Sequence, residues 1–189
     1  MNLYEAAGVG FGVLAVWLTT RQNIWCWPTG LVNVGLFILV FYEARLYADM
    51  GLQGVYVVLL IYGWYEWLRG GKNHSPLRVA RTPAAALAGG AAAGAVFLFV
   101  LGYLLKGHTN ADLPFLDSTL TSFSLVAQFY QTRKWIENWI VWIAVDIVYV
   151  GMYIYKELYL TSGLYAVFLV LAVLGYVEWR KSMQTAVAS

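Results

Sequence analysis

Charged side chains are scarce in this 189-residue chain. Asp, Glu, Lys and Arg make up 12% of the sequence and hydrophobic residues 61%, whereas a soluble domain has about 25% charged residues. The formal net charge of +2 gives no indication of a nucleic-acid partner. With a mean hydropathy of +0.64, most of the surface must face a medium other than water, and a lipid bilayer fits.

Several chemical motifs are also missing. A single cysteine, Cys26, excludes an intrachain disulfide and a CxxC metal site. No GxxxxGK phosphate loop and no arrangement of nucleophile and base are present, which argues against ATP hydrolysis and against an enzyme. His74 and His108 lie alone in polar segments, without the spacing of metal ligands. The sequence therefore predicts no enzyme, no metal and no cofactor.

What the chain does contain is apolar windows of the length that crosses a bilayer. Glu5 lies in the first of them and no small-residue cleavage site follows it, so we expect a retained helix and not a signal peptide. The second and fifth windows contain polar residues, which are tolerated where they face the inside of a helix bundle. The predicted spans are about 4–20, 27–42, 51–68, 84–105, 117–132, 138–155 and 163–180.

The basic residues predict the orientation, because cytoplasmic loops collect Lys and Arg. With seven spans, nine basic residues fall on one side and three on the other. The N-terminus is therefore expected outside the cell and the C-terminus in the cytoplasm. The nine are Arg21, Arg69, Lys72, Arg78, Arg81, Arg133, Lys134, Arg180 and Lys181, and the three are Arg45, Lys106 and Lys156.

The chain also repeats itself at an offset of 112 residues. Residues 20–67 and 132–179 align without a gap and share 14 identities in 48 pairs, and matched Gly, Glu and Trp residues do not follow from hydrophobicity alone. The clearest matches are TRQNIWCW (20–27) with TRKWIENW (132–139), LYADMGL (46–52) with LYLTSGL (158–164), and GWYEW (63–67) with GYVEW (175–179).

This repeat predicts the architecture. Three spans leave the chain on the opposite side of the membrane, so two parallel three-span units need one more helix between them. We expect an all-α membrane protein with a single transmembrane domain over 1–189, made of a first three-helix repeat (4–68), a linker helix (84–105) and a second repeat (117–180). Parallel repeats occur in transporters that hold the substrate near the midplane.

Polar residues at membrane depth indicate where such a site would lie. In the first repeat Asn33 lies at mid-span, and its partner at the 112 offset, Val145, is next to Asp146. In the sixth span, residues spaced three and four apart share one helical face: Trp139, Trp142, Asp146, Tyr149 and Tyr153.

Two interpretations of Asp146 stay open. A charge at the bilayer centre costs about 2.5 to 3.5 kcal/mol on insertion scales, so it should face a cavity or a partner. In the functional interpretation, Asp146 complements a cationic ring and the aromatic faces stack on it. In the structural one, Asp146 bonds to Tyr149 or to a hydroxyl of a neighbouring helix and only fixes the packing.

Other polar and aromatic residues give weaker signals. Gln53, near the outer end of the third span, is either a pocket residue or an interfacial one. In the fifth span Ser122 and Ser124 are expected to bond backbone more often than substrate, and Gln128 lies beside them. Three tryptophans at the cytoplasmic ends of spans are expected in the aromatic belt: Trp64, Trp67 and Trp179.

Taken together, these segments resemble the PnuC family of bacterial vitamin transporters over nearly the whole chain, apart from the loop 70–83 and the linker helix. The segments that carry the resemblance are WPTGLVNV (27–34), LQGVYVVLLIYGWYEW (52–67), TRKWIENWIVWIAVDIVY (132–149) and KELYLTSGLYAVFLVLAVLGYVEWRK (156–181).

The resemblance implies a fold similar to the SWEET sugar transporters, a homotrimer in the inner membrane, and facilitated diffusion of nicotinamide riboside, which a separate cytoplasmic kinase then traps. The implied pocket residues are Asn33, Gln53, Trp142, Asp146 and Tyr149, together with Asn138 and Gln128. The nicotinamide riboside branch often has asparagine near the positions of Leu60 and Leu174, so thiamine, riboflavin and deoxynucleosides stay open as ligands. Thiamine, another aromatic cation, is the strongest rival.

A hypothesis from another class also stays open. In a proton-coupled exporter or a channel, Asp146 would take up and release protons instead of complementing a cation.

Overall fold

The protein is described here from a computed structural model that covers residues 3–43, 45, 47–108 and 113–188. Within these residues the chain forms the seven long helices that the sequence predicts, and a single 3₁₀ turn at Lys72–His74. The helices are α1 (Leu3–Thr20), α2 (Cys26–Glu43), α3 (Tyr47–Arg69), α4 (Ala84–His108), α5 (Pro114–Thr132), α6 (Glu137–Tyr155) and α7 (Tyr159–Ala188).

Six of the helices form a closed ring. Going round it, α1 packs on α2, α2 on α3, α3 on α5, α5 on α6, α6 on α7 and α7 on α1, while α4 packs against α5 from outside. The 112-residue offset maps α1, α2 and α3 onto α5, α6 and α7, and it also maps the α3–α5 contact onto the α7–α1 contact. Both repeats therefore contribute equally to the ring and share its interior.

The turns obey the same offset. Gln22 and Lys134, which follow α1 and α5, have φ angles of 53° and 52°, and Arg45 and Glu157, which follow α2 and α6, both have 58°. A left-handed residue just beyond a helix end is a common way to stop the helix. Equivalent sequence has therefore produced equivalent backbone, even at these unusual conformations.

Five helices are long and apolar enough to cross a membrane: α1, α2, α4, α6 and α7. The other two, α3 and α5, complete the ring but carry more polar side chains. In α5 these polar side chains are buried, including Ser118, Ser122, Ser124 and Gln128. Because they face protein and not lipid, a less apolar helix can still lie at membrane depth, and the chain is a multi-pass membrane protein.

Four tryptophans form a layer that joins the two repeats. Trp27 contacts Trp67, Trp67 contacts Trp179, and Trp179 contacts Trp139, with ring centroids 5.1, 5.7 and 5.3 Å apart. Glycines make room for them, since a Cβ on Gly175 would lie 2.5 Å from the Trp139 ring. We call Trp27, Trp67, Trp139 and Trp179 the tryptophan layer.

The expectation that Trp67 and Trp179 belong to the aromatic belt is wrong. Both are buried, and each indole N–H donates across the repeat boundary, from Trp67 to the Gln131 carbonyl (2.9 Å) and from Trp179 to the Thr19 carbonyl (3.0 Å). These two bonds are themselves equivalent at the 112 offset. Trp64, with 37% of its surface exposed, can still face the membrane interface.

Segment 70–83 closes the ring beside the tryptophan layer, at the end where the α1–α2 and α5–α6 turns lie. We call this the basic end. The Leu77 N–H donates to the Trp67 carbonyl (3.1 Å), and the Lys134 Nζ donates to the Leu77 carbonyl (3.0 Å) from 4.4 Å above the Trp67 ring. Ala80 pairs with the backbone of Lys134 and Ile136. Burial lowers the pKa of Lys134 to about 8.

An ion pair at the same end joins the two repeats. Arg133, which follows α5, donates through Nη1 to Glu66 of α3 over 2.8 Å and to the Tyr62 hydroxyl over 3.0 Å. At the equivalent position in the other repeat, Glu178 pairs instead with Lys181 of its own helix, over 3.5 Å. An ion pair therefore joins the repeats between α3 and α5, and within the described part of the chain the equivalent glutamate at the α7–α1 junction does not form one.

Candidate functional site

The ring of six helices lines a cavity of about 390 Å³. All six helices of the ring line it, and α4 does not. This size is in the range of pockets that bind small organic molecules. Within the described residues no cluster of His, Cys, Asp and Glu could hold a metal ion.

Six of the seven predicted site residues line this one cavity: Asn33, Gln53, Gln128, Trp142, Asp146 and Tyr149. They come from α2, α3, α5 and α6. On α6 the spacing of three and four residues aligns Trp139, Trp142, Asp146 and Tyr149 along the cavity wall. The helical periodicity of that segment therefore predicts the composition of the wall.

The carboxylate of Asp146 has no hydrogen-bond or ion-pair partner among the described residues, although Asp146 is only 3% exposed. A buried carboxylate without a partner is costly, by several kcal/mol even after the protein has relaxed around it. The bond to Tyr149 or to a hydroxyl that the structural interpretation requires is not formed. The arrangement favours the functional interpretation, in which the carboxylate meets a group that enters the cavity.

Asn33 lies on the wall formed by the first repeat. Its Nδ2 donates a hydrogen bond to the Gly8 carbonyl of α1 over 2.7 Å. The side chain is therefore held across the α1–α2 interface while its amide oxygen remains for the cavity.

The two glutamines differ in their surroundings. Gln128 is 7% exposed and its Nε2 has no partner in the described part of the chain. Gln53 is less buried and lies on α3. Gln128 lines the cavity, and its amide nitrogen is a buried donor without a partner in the described structure.

Asn138 does not line the cavity. It is fully buried, and its Nδ2 donates to the Trp135 carbonyl, three residues earlier, over 2.6 Å. The bond ties the Asn138 side chain to the turn that precedes α6.

Several cavity residues were not predicted from the sequence as pocket residues. On α7, Tyr165 packs its ring against Tyr149, with centroids 4.4 Å apart, and Phe168 follows it. Tyr56 and Gln131 also line the cavity. The repeat indicates one of them. Tyr165 lies 112 residues after Gln53, a predicted pocket residue, and therefore occupies the equivalent position in the second repeat.

Ser122 and Ser124, for which the sequence predicts the same backbone bonding, have different surroundings in the structure. Ser122 donates to the Ser118 carbonyl over 2.6 Å, as expected for a serine in a membrane helix, whereas Ser124 lines the cavity.

The two repeats line the cavity unequally. Ser124, Gln128, Asp146 and Tyr149 of the second repeat correspond, 112 residues earlier, to Gly12, Val16, Val34 and Phe37, all of which also line the cavity. At these four pairs of positions the second repeat supplies the polar group and the first an apolar surface. The symmetric frame therefore encloses an asymmetric site.

Comparisons with known proteins agree with this architecture. The chain is 28% identical over 207 residues to the nicotinamide riboside transporter PnuC of Escherichia coli (strain K12), covering 96% of this chain and 87% of that protein. It is 27% identical to the riboflavin/roseoflavin transporter RibM of Streptomyces davaonensis, covering 93% of this chain and 83% of that one.

A solved structure shows the same fold. The crystal structure of the vitamin B3 transporter PnuC superposes with a TM-score of 0.74 at 24% sequence identity, covering 96% of this chain and 82% of that one. The predicted fold class, an all-α membrane protein with a three-one-three arrangement, is confirmed, and so is the family resemblance of the sequence motifs. The family model of the nicotinamide mononucleotide transporters matches residues 2–181, and the protein therefore belongs to that family.

Proposed function

We propose that this protein carries nicotinamide riboside across the bacterial inner membrane by facilitated diffusion. The observation that carries the proposal is the buried carboxylate of Asp146, which has no partner in the described structure and lies on an aromatic cavity wall. The similarity to a nicotinamide riboside transporter over 96% of the chain supports the same ligand.

The cavity chemistry suits an aromatic cation. Nicotinamide riboside has a positively charged pyridinium ring, which Asp146 can attract and which Trp142 and Tyr149 can stack on. A rotation of the Gln128 side chain brings its buried, unpaired amide nitrogen to a ligand oxygen, and Gln53 adds further hydrogen-bonding capacity. Asn138, held in the first turn of α6, is no longer proposed as a contact.

The basic end indicates which side of the membrane the closed end of the cavity faces. If the basic end is cytoplasmic and the N-terminus outside, the tryptophan layer and segment 70–83 close the cavity on the cytoplasmic side. Transport then requires one three-helix repeat to rock against the other and open this end. No ion gradient is needed, because a separate cytoplasmic kinase consumes the substrate and maintains its gradient without forming a stable complex with the carrier.

The bilayer surrounds the ring and α4, and copies of the chain are proposed to assemble as a homotrimer. Helix α4 lines no part of the cavity and exposes a series of apolar side chains. These side chains suit contact with lipid or with a neighbouring copy, and mass measurement of the purified protein in detergent tests the trimer.

A thermal-shift panel on the purified protein tests the ligand. A ligand present at 100 times its Kd stabilises the native state by about 2.7 kcal/mol, which is a measurable rise in melting temperature. We expect nicotinamide riboside to give the largest rise among nicotinamide riboside, thiamine, riboflavin and deoxynucleosides. A largest rise with thiamine would keep the requirement for a cation and change the vitamin, and a largest rise with neutral riboflavin would contradict the role of Asp146.

Proteoliposomes test the mechanism. We expect uptake of nicotinamide riboside to continue after an imposed pH gradient is dissipated, as facilitated diffusion requires. Uptake that stops when the pH gradient collapses would favour the proton-coupled class in place of our proposal.

A further inference from the structure

We propose that Gly12 of α1 is a positioning residue, which acts through Asn33 to present a hydrogen-bond acceptor to an N–H or O–H group of the ligand. The proposal rests on the proposed function only in requiring that the cavity bind a small molecule. It adds a residue that lines the cavity without a polar side chain of its own and that nothing in the sequence motifs singles out.

The first step is the orientation of the Asn33 amide. A carbonyl oxygen can only accept a hydrogen bond, so the atom that lies 2.7 Å from the Gly8 oxygen must be the amide nitrogen. The nitrogen is thus engaged by the backbone of α1. The remaining polar atom of Asn33 is its oxygen, an acceptor, and Asn33 lines the cavity.

The second step is the space that this orientation needs. A Cβ placed on Gly12 would lie 2.9 Å from Nδ2 of Asn33, closer than such atoms approach in proteins. The next contacts, with Asn33 Cγ at 3.6 Å and with the Phe168 ring at 3.9 Å, would be ordinary. Any larger residue at position 12 must therefore push the amide away from Gly8. Since the displaced atom is the end of a flexible side chain, the helix itself can remain in place.

The repeat provides an internal comparison. The partner of Asn33 in the second repeat is Val145, which has no amide to accommodate, and the partner of Gly12 is Ser124. The second repeat thus accepts a side chain at the position where the first has glycine. If Asn33 requires a glycine at position 12, a repeat that lacks the asparagine should tolerate a side chain at the equivalent position, as the second repeat does.

The ligand chemistry follows. The first-repeat wall presents the Asn33 oxygen, which needs a donor, while the second-repeat wall presents the Asp146 carboxylate, which attracts a cation. A ligand that satisfies both walls carries a positive charge and, on its opposite side, a hydroxyl or amide N–H. Removing the Asn33 oxygen by mutation and rotating it away from the cavity should therefore weaken ligand binding to the same extent.

The test is a double-mutant cycle between Gly12→Ala and Asn33→Ala, with binding measured by calorimetry for the panel ligand that stabilises the wild type most. A net hydrogen bond of about 0.5 to 1.5 kcal/mol predicts that each single variant weakens Kd about 2- to 13-fold. If Gly12 acts through Asn33, the double variant should be no weaker than Asn33→Ala alone, because the effects of coupled residues do not add.

Gly10→Ala is the matched control. Gly10 lies on the same helix, and a Cβ there would meet nothing within 4 Å. Its affinity should equal that of the wild type. The melting temperature of ligand-free Gly10→Ala should be unchanged or raised, since Ala is a better helix former than Gly. In Gly12→Ala the same gain offsets the loss of the Asn33–Gly8 hydrogen bond, so its melting temperature should match that of the wild type. Weaker binding with undiminished stability is a pattern that a purely structural role would not give.

Three results would overturn the inference: full affinity in Gly12→Ala, additive losses in the double variant, or failure of Gly12→Ala to fold, which would mean that the amide cannot yield. A wild type that binds a ligand other than nicotinamide riboside would refute the proposed substrate and leave this test intact.

Discussion

The replacement Asp146→Asn separates the charge of the cavity from its shape. Asn is nearly isosteric with Asp and keeps one acceptor oxygen, so the loss it causes should be electrostatic. Opposite unit charges 4 Å apart attract by about 1 kcal/mol in water and about 4 kcal/mol at an effective dielectric of about 20. A cavity shielded by six helices lies between these limits, so we expect the Kd for nicotinamide riboside to rise by about 5- to 900-fold.

Calorimetry with two ligands isolates this effect. Dihydronicotinamide riboside has nearly the same shape but a neutral ring, and its Kd should change by less than about threefold, the size of a weak hydrogen bond. Asp49→Asn is the matched control, because Asp49 is an exposed carboxylate near the start of α3. It should bind both ligands as the wild type does.

Asp146→Asn should weaken binding of the cation but raise the stability of the ligand-free protein. Among the described residues nothing pairs with the carboxylate of Asp146, so its removal relieves an uncompensated burial cost. The ligand-free Asp146→Asn variant should therefore melt at a higher temperature than the wild type while binding the cation more weakly. Equal affinity of both variants for the cation, or equal losses for the cation and the neutral analogue, would refute the counter-charge.

Three further predictions concern the basic end and the ring. Gly175→Ala should lower the free energy of unfolding by about 1 to 3 kcal/mol, because the added Cβ overpacks the tryptophan layer. Gly163→Ala, with open space around it, should not lower it, and equal melting temperatures of the two variants would contradict this packing. Glu66→Gln should lower the free energy of unfolding by about 1 to 2 kcal/mol, since it removes a charge-assisted bond between the repeats. Glu178→Gln, in an exposed pair, should lower it by less than about 0.5 kcal/mol. A larger loss for Glu178→Gln in denaturant unfolding would be inconsistent with the ring contacts. Lys134 has a pKa of about 8 in the folded protein against 10.5 for a free side chain. Between these values the unfolded chain holds the Lys134 proton and the folded chain has lost it, so the stability of the wild type relative to Lys134→Met should rise with pH. Parallel melting-temperature profiles of the two proteins from about pH 8 to 10 would refute this.

Much of this protein is fixed by local properties of its sequence. The apolar windows require a bilayer, and the 112-residue repeat gives three helices, a linker and three helices, because hydropathy and self-similarity need no knowledge of contacts. The wall formed by Trp142, Asp146 and Tyr149 also follows from local spacing, since a helix turns by a constant angle per residue. The neighbours of these residues on other helices do not follow from it.

Contacts between helices decided the rest. Tyr165 and Gln131 reach the cavity, and Trp67 leaves the expected membrane belt for the interior, only because the ring closes between α3 and α5 and between α7 and α1. Asn138 shares a helix with the cavity wall, but the Trp135 carbonyl, in the turn before that helix, holds its amide. Such outcomes depend on side-chain volumes that meet across the bundle, as Gly175 and Gly12 illustrate. The sequence alone determined the membrane fold and its repeat, and tertiary packing determined which polar atoms remain free to meet a substrate.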